Sequence, residues 1–286
     1  MLDIRTDLAL ERHAINAEQG VEDGIVLTEE RIFDVVVTKA EVLDDEGERL
    51  SHCKAGIYYS ADVGKLWLKS RDDRRNAAEA VKALLLRLLP KNKDALVLVV
   101  GLGNRQVTPD AIGPKACDSL VVTHHMKTLN RPLYDALGLG DLAAICPSVL
   151  GQTGFESAIT VKSAVNELRP LAVIAIDALA ARSVDRLGTT IQISNVGIAP
   201  GSGVDNRREE LSATALGCPV ISVGVPTVVD ARTVAIDLCG GCDKKEFESF
   251  FVAPKEADVM IRVMAKTIAL AINAAIHGDA EEYAPL

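Results

Sequence analysis

Two aspartates stand at positions where an acid and a base could act together. Asp110 follows a Gly/Asn loop after the apolar run Leu96–Val100, and Asp177 directly follows the apolar run Leu171–Ile176. Apolar runs of this length predict buried strands. In open α/β sheets the carboxyl ends of the parallel strands lie at one edge, where ligands bind. We therefore expect Asp110 and Asp177 to share a crevice, although they are far apart in the sequence.

Two carboxylates in one crevice can divide the acid and base work of a hydrolysis. Mutual repulsion and desolvation raise the pKa of one carboxyl and leave the other low, so one group activates a water while the other donates a proton. A structural interpretation is equally open: Asp110 would be a first-turn acid stabilised by a helix dipole, and Asp177 another helix cap. Neither position is specific by itself.

Other catalytic and binding motifs are incomplete in this chain. The loop that begins at Gly101 lacks the third glycine of a dinucleotide fingerprint, because Gln106 stands there, and it lacks the ending of a P-loop. No signature of a serine, cysteine or zinc-dependent hydrolase is found. Cys239 and Cys242 form one CxxC pair without a neighbouring histidine cluster, so an incidental loop pair is favoured over a zinc or redox site.

Composition excludes several classes of partner. The formal net charge is −9 at pH 7 and the sequence pI is about 5.1, which argues against a nucleic-acid-binding surface. The amino terminus lacks the charged and apolar regions of a secretory signal. The apolar stretch Leu171–Ala180 is too short to span a membrane and contains Asp177. We expect an intracellular protein without a nucleic-acid or membrane partner.

Strand-length apolar runs alternate with helical stretches in the second part of the chain. The predicted strands are Leu96–Val100, Leu142–Cys146, Leu171–Ile176 and Val220–Val225. The predicted helices are Pro109–Val121, with Thr108 as its N-cap, Phe155–Leu168 and Ala178–Leu187. This pattern predicts a mostly parallel sheet with helices on both faces. The alternating stretch Thr189–Ser194 predicts an edge or antiparallel strand.

The flanking regions add β-rich and helical elements. Residues 1–75 are β-rich, with a hairpin turn predicted at Asp44–Gly47, and apolar spacing predicts a helix over Arg75–Leu89. A Gly-rich, charged linker, Cys239–Phe251, precedes a closing helix over Pro254–Ile276. One domain over residues 1–286, with β-hairpin elaborations, is the economical prediction.

Several long motifs occur in order along most of the chain and resemble one protein family. These are RTDLA (Arg5–Ala9), VVGLGNxxVTPDAIGPKA (Val99–Ala116), VLGQTGFES (Val149–Ser157), IAIDALAARS (Ile174–Ser183), TIQIS…GIxPGSGVxNRR (Thr190–Arg208) and PVISVGVPTVVDA (Pro219–Ala231). Together they resemble the germination proteases of endospore-forming bacteria.

This resemblance implies a phosphorylase/hydrolase-like α/β core and an endopeptidase. Such an enzyme initiates the degradation of small acid-soluble spore proteins when a spore germinates, in the cytoplasm of the forespore or spore core. The resemblance assigns the catalytic pair to Asp110 and Asp177, without a cofactor. It also implies a homotetramer made as a zymogen, in which residues 1–7 would be a short pro-segment.

Two alternatives to this function remain. One comes from a related family of peptidases, and the other from positions where this chain departs from the family pattern. Hydrogenase-maturation peptidases share the strand, loop and acid opening and a second strand-end aspartate, and there the acids bind a metal. A metal-dependent peptidase is thus the less favoured alternative. Family members usually carry Asp and His where this chain has Asn195 and Ala199. That departure allows a catalytically silent relative that acts as a binding module.

Overall fold

The computed structural model describes residues 6–18, 24–92, 95–199, 209–239 and 250–278. The strands are β1 (Ile25–Ile32), β2 (Val35–Val42), β3 (Gly56–Asp62), β4 (Val97–Gly101), β5 (Leu142–Ile145), β6 (Ala172–Ala181), β7 (Thr190–Ser194), β8 (Val220–Asp230) and β9 (Phe251–Val252). The helices are α1 (Ala9–Glu18), α2 (Asp45–Ser51), α3 (Arg71–Leu88), α4 (Ile112–Cys117), α5 (His124–Leu129), α6 (Arg131–Leu137), α7 (Leu150–Thr153), α8 (Ser157–Leu168), α9 (Ala213–Leu216), α10 (Ala231–Cys239) and α11 (Ala257–His277).

The strands form one mixed sheet rather than the mostly parallel sheet that the pattern predicted. Their order is β1-β2-β3-β7-β8-β6-β4-β5, and β9 pairs with β8. Strands β8, β6, β4 and β5 are parallel, whereas every other pairing is antiparallel. The prediction was wrong because the β-rich amino-terminal region does not stand apart as an elaboration. Strand β7 joins it to the parallel strands by pairing with β3 on one side and β8 on the other.

Helices cover both faces of the sheet, as predicted. On one face, α3, α4 and α11 pack on the alternate residues of β4 and β6 that include Val99, Ile174 and Ile176. On the other face, α8 and α9 pack on the residues between them, such as Val100 and Ala175. Aliphatic side chains build both clusters, because aromatic residues make up only 3% of the chain. The two-sided burial explains why β4 and β6 are almost wholly apolar.

Helix α11 is, among the described helices, the one that has the length and apolar composition of a membrane span. In its most apolar window, 61% is buried inside the protein. Its buried residues, including Met264 and Ile268, belong to the cluster shared with α3 and α4. The apolar character of α11 therefore matches its place in the core.

Two local predictions were wrong, and contacts distant in sequence explain both. Residues 178–181 extend β6 instead of starting a helix, because β8 pairs with β6 as far as Ala181 and Asp7 bonds to both sides of Ala180. The stretch at Asp44 is not a hairpin turn: the Asp44 carboxylate accepts the Gly47 N–H and caps α2. The hairpin turn lies instead at Phe33 and Asp34, both with positive φ.

Other elements match their predictions in type and differ in extent. Helix α3 begins at Arg71, before the predicted Arg75, because Ser70 and Asp73 form a capping box. Strand β7 is antiparallel as predicted, but it lies between two strands and all five of its residues are buried. Most of the predicted linker Cys239–Phe251 lies outside the described residues.

Candidate active site

Asp110 ends a short 3₁₀ turn, Thr108–Asp110, that follows the loop after β4. The expected helix starting at Thr108 is shorter, since α4 begins at Ile112, and Thr108 makes no capping bond. The reason is that the Asp110 carboxylate turns back on the loop: its Oδ2 accepts the Asn104 N–H at 2.7 Å. The loop and the turn thus hold each other, and Asp110 is half-buried.

Two glycines allow this loop to pack tightly. Gly103 has φ +104°, and a Cβ placed there would lie 2.1 Å from the carbonyl oxygen of Asp110. A Cβ at Gly113 would lie 2.4 Å from the carbonyl oxygen of Leu102 and 2.5 Å from that of Ile176. Both positions therefore exclude any side chain. The two glycines therefore allow the close backbone approach between this loop, α4 and β6.

Asp177 lies inside β6, not at its end as predicted. The neighbouring strand β4 is shorter, and its pairing with β6 stops at the pair Gly101 and Ile176. Asp177 is therefore the first residue of β6 beyond the carboxyl end of β4. It is 4% exposed, and its Oδ1 accepts the N–H of Ala178 at 2.9 Å.

The segments that carry the two aspartates meet at this edge of the sheet. The Thr108–Asp110 turn packs against both β6 and β8. The N–H of Leu102, the first residue after β4, donates to the carbonyl oxygen of Ile176 at 2.9 Å. The turn that carries Asp110 therefore contacts the strand that carries Asp177, where β6 extends beyond the end of β4.

A cavity of about 280 Å³ lies on the same face of the sheet as Asp177. Register shows this relationship, because Asp177 pairs with Gly224 of β8, and Gly224 pairs with Gln192 of β7. The sheet residues that line the cavity belong to this face: Tyr58, Leu179, Gln192, Ser194, Ser222 and Gly224. A larger cavity of about 570 Å³ is lined by α1, by residues 62–65 and by residues 182–189, and no residue of β8 lines it. We consider the smaller cavity because its floor is continuous with Asp177.

The floor of this cavity is polar and made of small residues. Ser194 and Ser222 hydrogen-bond to each other through their hydroxyls at 2.7 Å, and both are buried. Gly224 has no side chain, so the Leu179 side chain packs directly over its backbone. A Cβ at position 224 would lie 2.3 Å from Leu179 Cδ1. Concave sites with a few buried polar groups are typical of ligand binding. An extended peptide could lie here against small side chains.

The amino-terminal segment forms one wall of the cavity. Gln192 accepts the N–H of Ala9 at 2.9 Å and donates to the carbonyl oxygen of Asp7 at 3.1 Å. Asp7 also bonds to Ala180 of β6 through its N–H and its carboxylate, at 2.9 and 2.8 Å. No pattern in the sequence predicted this wall. Its only available signal was the motif RTDLA, whose residues carry no recognisable chemistry.

Asn195 and Ala199, the two departures from the family pattern, play different parts. Asn195 Oδ1 accepts the N–H of Ile57 at 2.8 Å, so this side chain closes the end of the β3–β7 ladder. Ala199 lines the cavity. Thus only the second departure changes the chemistry of the cavity wall.

Metal-ligating residues are dispersed over the part of the chain that the structure describes. Within it, no three His, Cys, Asp or Glu side chains are grouped to hold a metal ion. His124 contacts the buried Asp141 at 2.9 Å, and Lys127 pairs with the same carboxylate at 2.7 Å. The adjacent His125 is exposed. These histidines therefore belong to a structural ion pair and to the surface.

Comparisons with known proteins agree on one family. Residues 4–240 match the family model described as germination protease. A germination protease of Caldanaerobacter subterraneus subsp. tengcongensis is 38% identical, covering 96% of this chain and 95% of the relative. That of Clostridium acetobutylicum is 36% identical, covering 96% of each chain. That of Bacillus pumilus is 42% identical over 82% of this chain and 66% of the relative.

A search of solved structures finds a [NiFe] hydrogenase maturation protease, HycI, from Thermococcus kodakarensis. Its TM-score is 0.40 and its identity 15%, over 68% of this chain and 98% of that one. A likeness at this level carries no argument about the site. The family model and the relatives show the family. The chain therefore belongs to the germination protease family and is a spore protease.

Proposed function

We propose that this protease is an endopeptidase that uses Asp110 and Asp177 as its catalytic pair. One carboxylate takes a proton from a water as that water attacks the scissile carbonyl. The other protonates the nitrogen of the leaving group, and the peptide C–N bond breaks. Neither step requires a covalent enzyme intermediate.

The observation that carries the proposal is the meeting of two segments distant in sequence. The turn ending at Asp110 packs on β6 and β8, and Asp177 is the first residue of β6 beyond the end of β4. Asp177 lies on the sheet face that holds the cavity floored by Ser194 and Ser222, and the turn that carries Asp110 packs on the same two strands, β6 and β8. Asp177 is only 4% exposed, and acidic residues are rarely buried this far.

Support also comes from the rigidity of the Asp110 side. The Asn104 N–H fixes Asp110 Oδ2, and Gln152 donates to Asn104 Oδ1 at 2.9 Å. Catalytic groups must be held within a fraction of an ångström of their working position. This loop meets that requirement, because Asn104 is hydrogen-bonded both to the Asp110 carboxylate and to Gln152 of α7.

The deciding experiment compares Asp110→Asn and Asp177→Asn with the control Asp135→Asn. Asn keeps the side-chain oxygen that accepts the Asn104 or Ala178 N–H, so both site variants should fold. We expect each to lose about 10²- to 10⁴-fold in kcat, the usual contribution of acid–base catalysis. Asp135, an exposed partner of Arg131, should leave kcat unchanged. Full activity in either folded site variant would sink the proposal.

The substrates that we propose are the small acid-soluble spore proteins. Support comes from the family to which the chain belongs and from the cavity, which suits an extended segment of a protein. The net charge of −9 fits an enzyme that removes such proteins without binding nucleic acid itself. The test is to compare cleavage of a purified small acid-soluble spore protein with cleavage of an unrelated unfolded protein. Equal rates would refute the preference.

Three further properties belong to this proposal. The enzyme acts in the cytoplasm of the forespore or spore core, forms a homotetramer, and requires no cofactor. Sedimentation of the purified chain tests the tetramer. A strong chelator in the cleavage assay tests the cofactor claim, because a metal-assisted peptidase would lose activity and an aspartate pair acting alone would not.

A further inference from the structure

Two cysteines lie together behind the loop that carries Asp110. Cys117 is the last residue of α4, and Cys146 directly follows β5. Each thiol affects the pKa of the other. The Cys117 sulfur also lies 4.0 Å from the carbonyl oxygen of Ile145, and a Cβ at Gly101 would lie 2.7 Å from it. The absence of a side chain at Gly101 makes room for this thiol pair.

A cation borders the exposed member of the pair. The Arg105 side chain pairs with Asp118, with Nη2 at 2.9 Å from Asp118 Oδ1, and its charge lowers the pKa of Cys146. A third bond, from Arg105 Nη2 to the carbonyl oxygen of Pro114 at 3.3 Å, fixes the guanidinium over the end of α4. Cys146 thus lies between a thiol and a guanidinium, and it is exposed, whereas Cys117 is half-buried.

We propose that Cys117 and Cys146 are an oxidisable pair that forms a reversible intramolecular disulfide, with Cys146 as the attacking sulfur and a hydroperoxide as the oxidant. The chemistry fits these positions. Reactive cysteines are partly exposed and lie beside a cation, and a redox-sensing cysteine often lies next to a resolving one. This proposal does not depend on which residues cleave peptides.

The two steps balance in atoms and electrons. The Cys146 thiolate attacks the terminal oxygen of the hydroperoxide, the O–O bond breaks, and the departing alkoxide or hydroxide takes up a proton. Cys146 is now a sulfenic acid. The Cys117 sulfur attacks the Cys146 sulfur, the S–O bond breaks, and water leaves with the Cys117 proton. Two thiols are oxidised to one disulfide, and the hydroperoxide is reduced to an alcohol or water, plus water.

Electrostatics assigns the roles within the pair. Hydrogen bonding from Cys117 and the charge of Arg105 lower the pKa of Cys146 to about 7, against the opposing effects of burial and Asp118. The same hydrogen bond and burial raise the pKa of Cys117. Cys146 is therefore the thiolate, and Cys117 is the donor that resolves it.

The test treats the full chain with one equivalent of hydrogen peroxide, blocks the remaining thiols, and maps the peptides by mass spectrometry without reduction. We expect a cross-link between the peptides of Cys117 and Cys146, lost on treatment with dithiothreitol. In Cys117→Ser, oxidation should stop at a sulfenic acid on Cys146 that dimedone traps. In Cys146→Ser, neither the cross-link nor the trapped adduct should appear. Because Cys146 is exposed, its substitution should not disturb folding.

The matched control is Cys218→Ser, which should form the cross-link at the wild-type rate. The proposal would be overturned if other cysteines were oxidised first while Cys117 and Cys146 could still be alkylated. It would also be overturned by a disulfide between two molecules in place of one within the chain.

Discussion

Asp177 of β6 and Gly224 of β8 lie opposite each other in a parallel pairing, and the missing side chain of Gly224 leaves room for Leu179 beside the aspartate. A Cβ at this glycine would lie 2.3 Å from Leu179 Cδ1 and 2.5 Å from Leu179 Cγ. Leu179 is only 5% exposed and packs with Leu8 and Val229. It has little room to move aside, so the shape of the cavity floor depends on the missing side chain.

Gly224→Ala should therefore impair catalysis more than folding. Displacing Leu179 overpacks a buried site, which typically costs about 1–3 kcal/mol of unfolding free energy. A shift of about 1 Å in the residues beside Asp177 should lower kcat/KM by about 10²-fold. Steady-state cleavage and urea unfolding measure the two effects.

Two further variants separate the clash from the loss of glycine. Gly151→Ala, at a position where no atom lies within 4 Å of a new Cβ, should be harmless. Leu179→Ala combined with Gly224→Ala should recover part of the lost activity, because it removes the atoms that clash. Full activity in Gly224→Ala alone would mean that this cavity is not the substrate site.

Gly103→Ala should displace Asp110. The new Cβ would lie 2.1 Å from the Asp110 carbonyl oxygen, and φ of +104° is itself strained for alanine. We expect both a loss of stability and a large loss of kcat. Gly138→Ala is the matched control: it also has positive φ, +62°, but no atom within 4 Å. It should cost about 1–2 kcal/mol in unfolding free energy and leave kcat unchanged. Equal kcat values in the two variants would contradict the role given to this loop.

Glu11→Ala should destabilise the amino-terminal segment that forms one wall of the cavity, without changing either aspartate. The Glu11 carboxylate is 8% exposed, accepts the N–H of Arg182 at 2.7 Å and of Ser183 at 3.0 Å, and bonds to the Thr6 hydroxyl. Each buried donor left without an acceptor costs about 1–3 kcal/mol. Glu18→Ala, at the exposed end of the same helix, should change stability little. Thermal unfolding measured on both variants is the check, and equal stability would refute this role of Glu11.

Local sequence patterns predicted the elements whose apolar residues are continuous or recur at a regular spacing. Helix α8 and strands β4 and β5 are continuous apolar or amphipathic segments, so periodicity alone located them. The same reasoning failed at residues 178–181, because Asp7 and β8 supply their hydrogen bonds. It also failed on the parallel character of the sheet, which depends on where β7 inserts. No local pattern contains that information.

The candidate site was likewise only partly predictable from the sequence. Asp110 and Asp177 could be selected from the sequence because they follow apolar runs, even though Asp177 turned out to lie within its strand. Ser194, Ser222 and Gly224 could not be selected, since they matter only through the register of β7 on β8. A small or polar residue in a buried strand was the available signal. It becomes informative only when neighbouring strands carry such residues at the same level.

Alkylation of Cys146 should follow a pH profile set by its neighbours. Three groups face its sulfur: the Cys117 thiol and Arg105, which lower its pKa, and Asp118, which raises it. Because only the thiolate reacts, the rate with iodoacetamide should rise through about pH 7 and level off above it. Cys218, whose pKa burial raises, should react slowly over the same range. Peptide mapping after timed labelling gives both rates.

Arg105→Gln should shift this profile toward higher pH, because it removes the cation and leaves Asp118 beside the sulfur. Near pH 7 we expect alkylation of Cys146 to slow by about 2- to 5-fold, as a pKa rise of about 0.5 to 1 requires. Arg131→Gln, an exposed arginine paired with Asp135 on α6, is the control and should not move the profile. If both variants kept the wild-type profile, Arg105 would not activate this thiol, and the reactivity of Cys146 would have to come from Cys117 alone.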